Sequence, residues 1–138
     1  MDSSTVAMLA ALAALIALSA YFSATETAFT SLNRIRLKTR ADDGDKRAAR
    51  TLALAADYDR LLSTLLIGNN IVNNVATTIG AVLFIKLIGS AKGPTVSATV
   101  LTVVILVFGE VTPKSLAKEM PEKVATAVSP FLVLLMAL

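Results

Sequence analysis

Residues 6–22 read VAMLAALAALIALSAYF and contain no charged side chain. Residues 23–33, SATETAFTSLN, follow without a break; they are more polar but contain neither glycine nor proline. About 20 apolar residues, each rising ~1.5 Å along a helix, cross the hydrocarbon core of a bilayer. We therefore predict a first transmembrane helix over about residues 5–33. It is expected to be retained, because no basic residue precedes the apolar run as in a signal peptide.

The remaining sequence repeats this pattern of apolar stretches between clusters of charge. Hydrophobic residues make up 55% of the chain and charged residues 17%, and the mean hydropathy is +0.71. Soluble domains average ~25% charged residues. Two more apolar stretches predict spans over about residues 61–88 and 95–113. The expected fold is an all-α integral membrane domain with three transmembrane helices, in one domain over residues 1–138.

The basic residues predict the orientation of these helices. Eight of the 13 fall in residues 34–60, two in residues 86–92 and three in residues 114–123. The positive-inside rule then places the N-terminus outside and the C-terminus in the cytoplasm of a cell (inner) membrane. Beside apolar spans, this charge indicates a cytoplasmic loop, and no nucleic-acid partner is expected. Amphipathic juxtamembrane helices are expected over about residues 45–57, after an Asp N-cap, and 121–138.

The chain contains no Cys and no His, which restricts its chemistry. Zinc and other soft or borderline metals prefer thiolate or imidazole ligands, so such a site is not expected. A bound metal would be held by oxygen atoms, which favours Mg²⁺, Ca²⁺, Mn²⁺ or Na⁺. No nucleophile–base pair and no phosphate-binding loop is visible, so the chain is not expected to be an enzyme.

The first polar cluster lies near the inner end of the first span. Ser23 and Thr27 are four residues apart and share a helix face, with Glu26 and Ser31 nearby. A carboxylate is costly in hydrocarbon, so Glu26 is expected to be paired, protonated or in contact with water or a cation. The alternative is that Glu26 lies at the interface and pairs with Arg34 or Arg36.

Four amides in the second span form another polar stripe. Asn69 and Asn73 lie one above the other on a helix, as do Asn70 and Asn74. Gly68 would let another backbone approach. Amide oxygens can bind a hard cation. The alternative is that the amides join helices to each other by hydrogen bonds.

The third span ends in Gly109-Glu110-Val111-Thr112-Pro113. Pro113 has no N–H, so it is expected to kink the helix and to free the carbonyl of Gly109 beside the Glu110 carboxylate. Membrane carriers use unwound carbonyls and carboxylates to bind cations. The alternative is a simple kink with Glu110 paired to Lys114.

Because the three spans alternate in direction, these polar clusters fall at similar depth. The predicted cation site gathers hydroxyl, amide, carbonyl and carboxylate oxygens from Ser23, Asn69, Asn73, Gly109 and Glu110. Glu26, Ser31, Asn70 and Asn74 are candidates for additional or coupling-ion contacts.

Three ordered segments resemble the transmembrane domain of the CorC/CNNM (cyclin M) family of magnesium transporters. They are residues 23–32, SATETAFTSL; residues 66–74, LIGNNIVNN; and residues 108–114, FGEVTPK. The resemblance implies a homodimer with one cation site per protomer and Mg²⁺ as the substrate. It assigns the site to the five residues named above, matches Glu26 and Pro113 to the family motifs, and leaves Asn70 and Asn74 less clearly placed.

The resemblance also implies cytoplasmic nucleotide-binding CBS-pair domains, which this sequence lacks and which we expect in a longer chain. The leading hypothesis is Mg²⁺ transport, in the direction of export and coupled to Na⁺. The alternative is a membrane anchor or sensor domain that positions cytoplasmic regulatory domains, in which the amides only hold the helices together.

Overall fold

The computed structural model describes residues 3–137, which form helices joined by short turns, with no strand among the described residues. The helices are α1 (Ser3–Ser31), α2 (Arg34–Asp42), α3 (Lys46–Ala56), α4 (Tyr58–Ile88), α5 (Gly93–Val104), a π-helix (Ile105–Val111), α6 (Thr112–Glu119) and α7 (Pro121–Ala137).

Three helical segments are long and apolar enough to span a bilayer: Ser3–Ser31, Tyr58–Ile88 and Gly93–Glu119. The third is continuous through α5, the π-helix and α6. Many large apolar side chains on these segments face outward, including Ile67, Val103 and Phe108. Such a surface suits lipid rather than water. The predicted all-α membrane fold with three spans is confirmed, and the homodimer remains a prediction.

The spans pack through small residues and a few large apolar ones. At the level of Gly80, the side chain of Leu101 in α5 occupies the space that a β-carbon would need. At the level of Gly68, the Phe22 ring of α1 lies 2.7 Å from where a β-carbon would stand. Small residues allow this close approach of membrane helices, which have no hydrophobic effect between them in lipid. The consequence is a tight contact of α4 with α1 on one side and α5 on the other.

The basic linker between the first two spans is more helical than the sequence analysis indicated. The first span was expected to reach Asn33, but α1 ends at Ser31 and the Asn33 side chain accepts the Arg36 N–H at 3.1 Å as the N-cap of α2. No helix was expected over Arg34–Asp42. Asp45 is the N-cap of α3, and its carboxylate accepts the N–H groups of Arg47 and Ala48. Capping of this kind satisfies N–H groups that a helix start leaves unpaired.

The last helix is fixed to three other helices. At its start, Glu122 forms an ion pair with Arg36 of α2 at 3.3 Å. In its middle, the Tyr21 hydroxyl of α1 donates to the Val128 carbonyl at 2.9 Å. At its end, the Arg60 guanidinium of α4 donates to the Met136 carbonyl. These contacts place α7 with α2 and α3 at one end of the bundle, which we call the basic end.

Candidate cation site

The polar centre of the bundle is a contact between α1 and α4. The Ser19 hydroxyl lies 3.3 Å from the Asn69 side-chain oxygen and donates a hydrogen bond to it. Ser19 is 1% exposed, so this contact is shielded from the surroundings of the bundle. Asn69 belongs to the predicted site, but Ser19 does not. The sequence could have indicated Ser19, because Ser19 and Ser23 are four residues apart and share a face of α1.

The third span reaches the same point through Gly109. A β-carbon placed on Gly109 would lie 3.0 Å from the Ser19 hydroxyl oxygen and 3.4 Å from its β-carbon. The backbone of the π-helix therefore lies directly against Ser19, which a larger residue at position 109 would prevent. Three separate segments of the chain meet here, and each brings a polar group.

The π-helix frees a backbone carbonyl next to this junction. The Thr112 N–H donates to the Val107 carbonyl, five residues back, instead of to the Phe108 carbonyl. The other helical donor for Phe108 would be residue 113, but Pro113 has no N–H. Pro113 was expected to free the Gly109 carbonyl, whose i+4 donor it replaces. The wider turn leaves the Phe108 carbonyl without its helical donors as well, and π-bulges of this kind often occur at functional sites.

Asn73 lies one turn farther along α4 and has an unsatisfied oxygen. Its side-chain Oδ1 is buried and has no hydrogen-bond partner among the described residues. Asn73 lines a cavity of about 270 Å³ between α4 and the third span, together with Thr77, Thr102 and Ile105. A buried acceptor without a donor is costly, so this atom favours a ligand or an ordered water.

Ser23 and Asn73 lie on opposite sides of the junction. Helix α1 and helix α4 run antiparallel, and each advances ~6 Å in four residues. From the level of Ser19 and Asn69, Ser23 therefore lies toward the basic end and Asn73 away from it. Their Cα atoms are about 12 Å apart along the bundle. Ser23, the Ser19–Asn69–Gly109 junction and Asn73 therefore follow one another along the bundle, and we call this series the polar column.

The two carboxylates of the predicted set differ in their surroundings. Glu110 is half-buried in the π-helix, and none of the ion pairs among residues 3–137 joins it to Lys114. Glu26 is also half-buried. Its alternative partners have other contacts, since Arg34 donates to the Ala55 carbonyl and Arg36 pairs with Glu122.

The remaining predicted residues lie outside the junction. Ser31, Asn70 and Asn74 are exposed on the outer faces of their helices. Pro113 is buried at the start of α6 and belongs to the altered turn. The second amide stack therefore faces away from α1, and only the first stack lines the interior.

The chemistry of the column is that of neutral oxygen atoms with one neighbouring carboxylate. Within residues 3–137 no three acidic side chains come together in a metal-binding group. Hydroxyl, amide and carbonyl oxygens are ligands for hard cations. The groups of the column are therefore of the chemical type that hard cations bind.

The fold and this interior define a multi-pass helical membrane domain with a polar centre. A family model described as the cyclin M transmembrane N-terminal domain matches residues 10–138. The chain belongs to the cyclin M (CNNM) family of transmembrane domains, as the resemblance in the sequence analysis indicated.

Several curated proteins are similar to this chain. An Escherichia coli K12 protein named UPF0053 inner membrane protein YfjD is 47% identical over 108 residues, which cover 78% of this chain and 25% of that protein. A UPF0053 protein of Haemophilus influenzae is 43% identical over 110 residues, covering 80% of this chain and 26% of the relative. A protein of Arabidopsis thaliana, named as a putative DUF21 domain-containing chloroplastic protein, is 36% identical over 117 residues, which cover 85% of this chain and 17% of that protein. The chain thus spans about a quarter or less of these relatives.

Proposed function

We propose that this domain carries Mg²⁺ across a cell (inner) membrane, with the basic end in the cytoplasm. The observation that carries the proposal is the buried Asn73 Oδ1, which has no hydrogen-bond partner within residues 3–137 and lies one turn from the Ser19–Asn69–Gly109 junction. A lone buried acceptor is unfavourable unless something occupies it. A cation moving along the column would supply that partner.

The ligands suit Mg²⁺ more than a softer metal. Mg²⁺ binds oxygen at ~2.1 Å in near-octahedral geometry and releases its water reluctantly. Several protein oxygens would have to replace water at one level of the column. We assign this role to Ser19, Asn69 and the backbone at Phe108 and Gly109, with the Glu110 carboxylate to balance charge. Ser23 and Asn73 would receive the ion on either side.

The direction and the energy source belong to the same proposal. We propose export, driven by a Na⁺ gradient, with Glu26 and Ser31 nearer the basic end as candidates for coupling-ion contacts. Asn70 and Asn74 face outward from α4, where bare amides are costly in lipid. A second copy of the chain would cover them in a homodimer. The nucleotide-binding CBS-pair domains of a longer chain would regulate transport from the cytoplasm.

Isothermal titration calorimetry of the purified protein with Mg²⁺ tests this function. Wild type is expected to bind saturably, and Glu110→Ala to lose binding because its charge is removed from the site. Glu119→Ala is the matched control, since it makes the same change at an exposed position of the same span. Reconstituted vesicles should show Mg²⁺ flux in wild type and the control only. Normal flux in Glu110→Ala would refute the assignment.

A second candidate function is that of a membrane anchor or sensor. The Ser19–Asn69 hydrogen bond favours it, because such bonds also hold membrane helices together. In that case Asn69→Ala and Asn73→Ala would weaken association or folding without changing cation affinity. Absence of Mg²⁺ binding to the wild-type protein would support this second function over transport.

A further inference from the structure

Two cavities at the basic end meet at the same pair of residues. One, of about 310 Å³, lies between α3, α4 and α7 and is lined by Arg50, Asp57, Arg60 and Met136. The other, of about 390 Å³, is lined by Arg60 and Met136 together with Phe22, Ile67 and Leu135. The Arg60 guanidinium, bound to the Met136 carbonyl, stands between them. The two cavities therefore form one paired cavity with a charged and an apolar half.

The charged half contains a cation, Arg50, that no acidic side chain of the described residues pairs with. Arg60 donates to Met136 and lies 4.0 Å from the Asp57 carboxylate, so its charge is partly balanced. Arg50 is exposed and makes no ion pair among residues 3–137. Lys46 and Arg47 precede it on the same helix. The net potential at this half favours an anion.

The apolar half extends from the basic end into the bundle, along the first turns of α4. Arg60 and Gly68, at the two ends of this half on α4, are eight residues apart, or ~12 Å. Ile67 is 61% exposed and Leu135 half-buried, so the apolar half opens toward the bilayer. The positive charge at the interface suits an anionic lipid head group, and the apolar half of the cavity suits its acyl chain.

We propose that this paired cavity binds one anionic phospholipid. Arg50, supported by Arg60, binds the phosphate and selects the net negative head group, and one acyl chain occupies the apolar half against Phe22 and Ile67. Guanidinium groups bind phosphate oxygens in pairs of hydrogen bonds, and basic pockets between membrane helices bind anionic head groups. This site is separate from the proposed cation column and does not depend on Mg²⁺ transport.

The binding site also adjoins the polar column. Phe22 lines the apolar half and contacts Gly68, the residue before Asn69. An acyl chain seated there would hold the Phe22 ring against α4. The lipid would therefore stabilise the α1–α4 contact on which the Ser19–Asn69 hydrogen bond depends.

The test measures lipid retention by native mass spectrometry of the protein released from nanodiscs that contain equal amounts of phosphatidylglycerol and phosphatidylcholine. Wild type is expected to retain phosphatidylglycerol preferentially. Arg50→Gln should lower that preference about fivefold, the factor for ~1 kcal/mol per basic residue at an anionic surface. Lys38→Gln is the matched control, because it removes one exposed basic charge from α2 without touching either cavity.

Three results would overturn the proposal. Equal retention of both lipids by wild type would indicate ordinary bilayer lipid. An equal loss in Lys38→Gln and Arg50→Gln would indicate general attraction by the basic end, without a site. Full displacement of the lipid by millimolar glycerol phosphate would indicate a soluble phosphate ligand, because the acyl chain would then contribute nothing.

Discussion

The Ser19 hydroxyl donates a hydrogen bond to the Asn69 side-chain oxygen across 3.3 Å, and the Gly109 backbone lies against the same hydroxyl. One serine therefore contacts both of the other transmembrane segments. If the column binds a cation, the hydroxyl can turn from Asn69 to the ion, since it has lone pairs available as an acceptor. The Ser19–Asn69 hydrogen bond would then be the contact that the hydroxyl makes when no ion is bound.

Ser19→Ala is expected to separate binding from packing. Loss of one interhelical hydrogen bond in a membrane protein costs ~0.6 kcal/mol, so the melting temperature should fall only slightly. A hydrogen bond to a charged group contributes ~1.5–3 kcal/mol, and on that scale the loss of one oxygen ligand should raise the Kd for Mg²⁺ about tenfold or more. Calorimetry and thermal unfolding in the same detergent measure both. Ser4→Ala, at an exposed position of α1 far from the junction, is the control, and an unchanged Kd in Ser19→Ala would argue against a ligand role.

Gly109→Ala is expected to disturb the junction from the opposite side. The added methyl group would lie 3.0 Å from the Ser19 hydroxyl oxygen, so α1 and the π-helix must separate or the hydroxyl must turn. Overpacking of this kind costs ~1–3 kcal/mol. Both thermal stability and Mg²⁺ affinity should fall, as measured by unfolding and calorimetry.

The double variant Ser19→Ala/Gly109→Ala serves as the control for that explanation. Removal of the hydroxyl oxygen makes room for the new methyl group, so the double variant should be more stable than Gly109→Ala alone. Its Mg²⁺ affinity should stay low, because the ligand is gone. Equal stability of the two variants would show that the contact at Ser19 is not the cause.

The fold could be predicted from the sequence because membrane helices have a strong signal. The uncharged stretch from Val6 to Phe22 had to be helical to satisfy its backbone in lipid. That Asn69 and Asn73 share one helix face followed from their spacing of four residues. Which of the two amide stacks lines the interior did not follow, because both stacks have the same periodicity and neighbouring helices decide between them.

The π-helix and Ser19 depend on tertiary contacts that the sequence does not state. Pro113 predicts the loss of one helical hydrogen bond. Whether the helix then kinks or widens into a π-turn depends on how closely Gly109 packs against α1. Ser19 shares a helix face with Ser23, but it lies among alanine and leucine residues, and only its packing against Asn69 and Gly109 distinguishes it from other small residues of a membrane helix. Helix α2 was not predicted because the segment Arg34–Asp42 is short and polar. Its stability comes from the Asn33 cap and from contacts with α3 and α7.

The N-cap of α3 gives the domain a pH-dependent element outside the membrane. The Ala48 N–H hydrogen bond is the main reason that the pKa of the Asp45 carboxyl lies below its ordinary value of 3.8, and the Arg40 guanidinium at 2.9 Å lowers the pKa further. Because the folded-state pKa is lowered, the stabilisation is present above pH ~4 and is lost as pH falls through the folded pKa. Wild type should therefore lose stability as the pH is lowered from about 4 through the folded-state pKa of Asp45.

Asp45→Asn isolates the charge from the cap. Asparagine caps a helix about as well as aspartate, so the variant should keep α3 while losing the attraction to Arg40. Its melting temperature is expected to lie below that of wild type at neutral pH and to approach it as the wild-type carboxyl protonates. Thermal unfolding of both proteins from pH 3 to 7 makes the comparison. A constant difference across that range would show that the carboxylate charge has no part in the stability.

Pro113→Ala tests whether the altered turn is part of the binding site. An alanine restores an N–H at position 113, which can bond the Phe108 or Gly109 carbonyl and return the segment to a regular helix. The variant should gain stability by up to ~3 kcal/mol, since proline is the least favourable residue inside a helix. Its Mg²⁺ affinity should fall, because a carbonyl that pairs within the helix no longer faces an ion.

The opposite changes in stability and affinity make this prediction specific. Ordinary damage to a membrane protein lowers both, whereas return of the altered turn to a regular helix raises stability and lowers affinity. Pro130→Ala, inside α7, is the matched control, because it also restores an N–H within a helix but lies outside the three spans. It should gain stability and keep its Kd for Mg²⁺. If Pro113→Ala also keeps the wild-type Kd, the carbonyls of the π-helix are not ligands, and the side chains of Ser19, Asn69 and Glu110 must hold the ion without them.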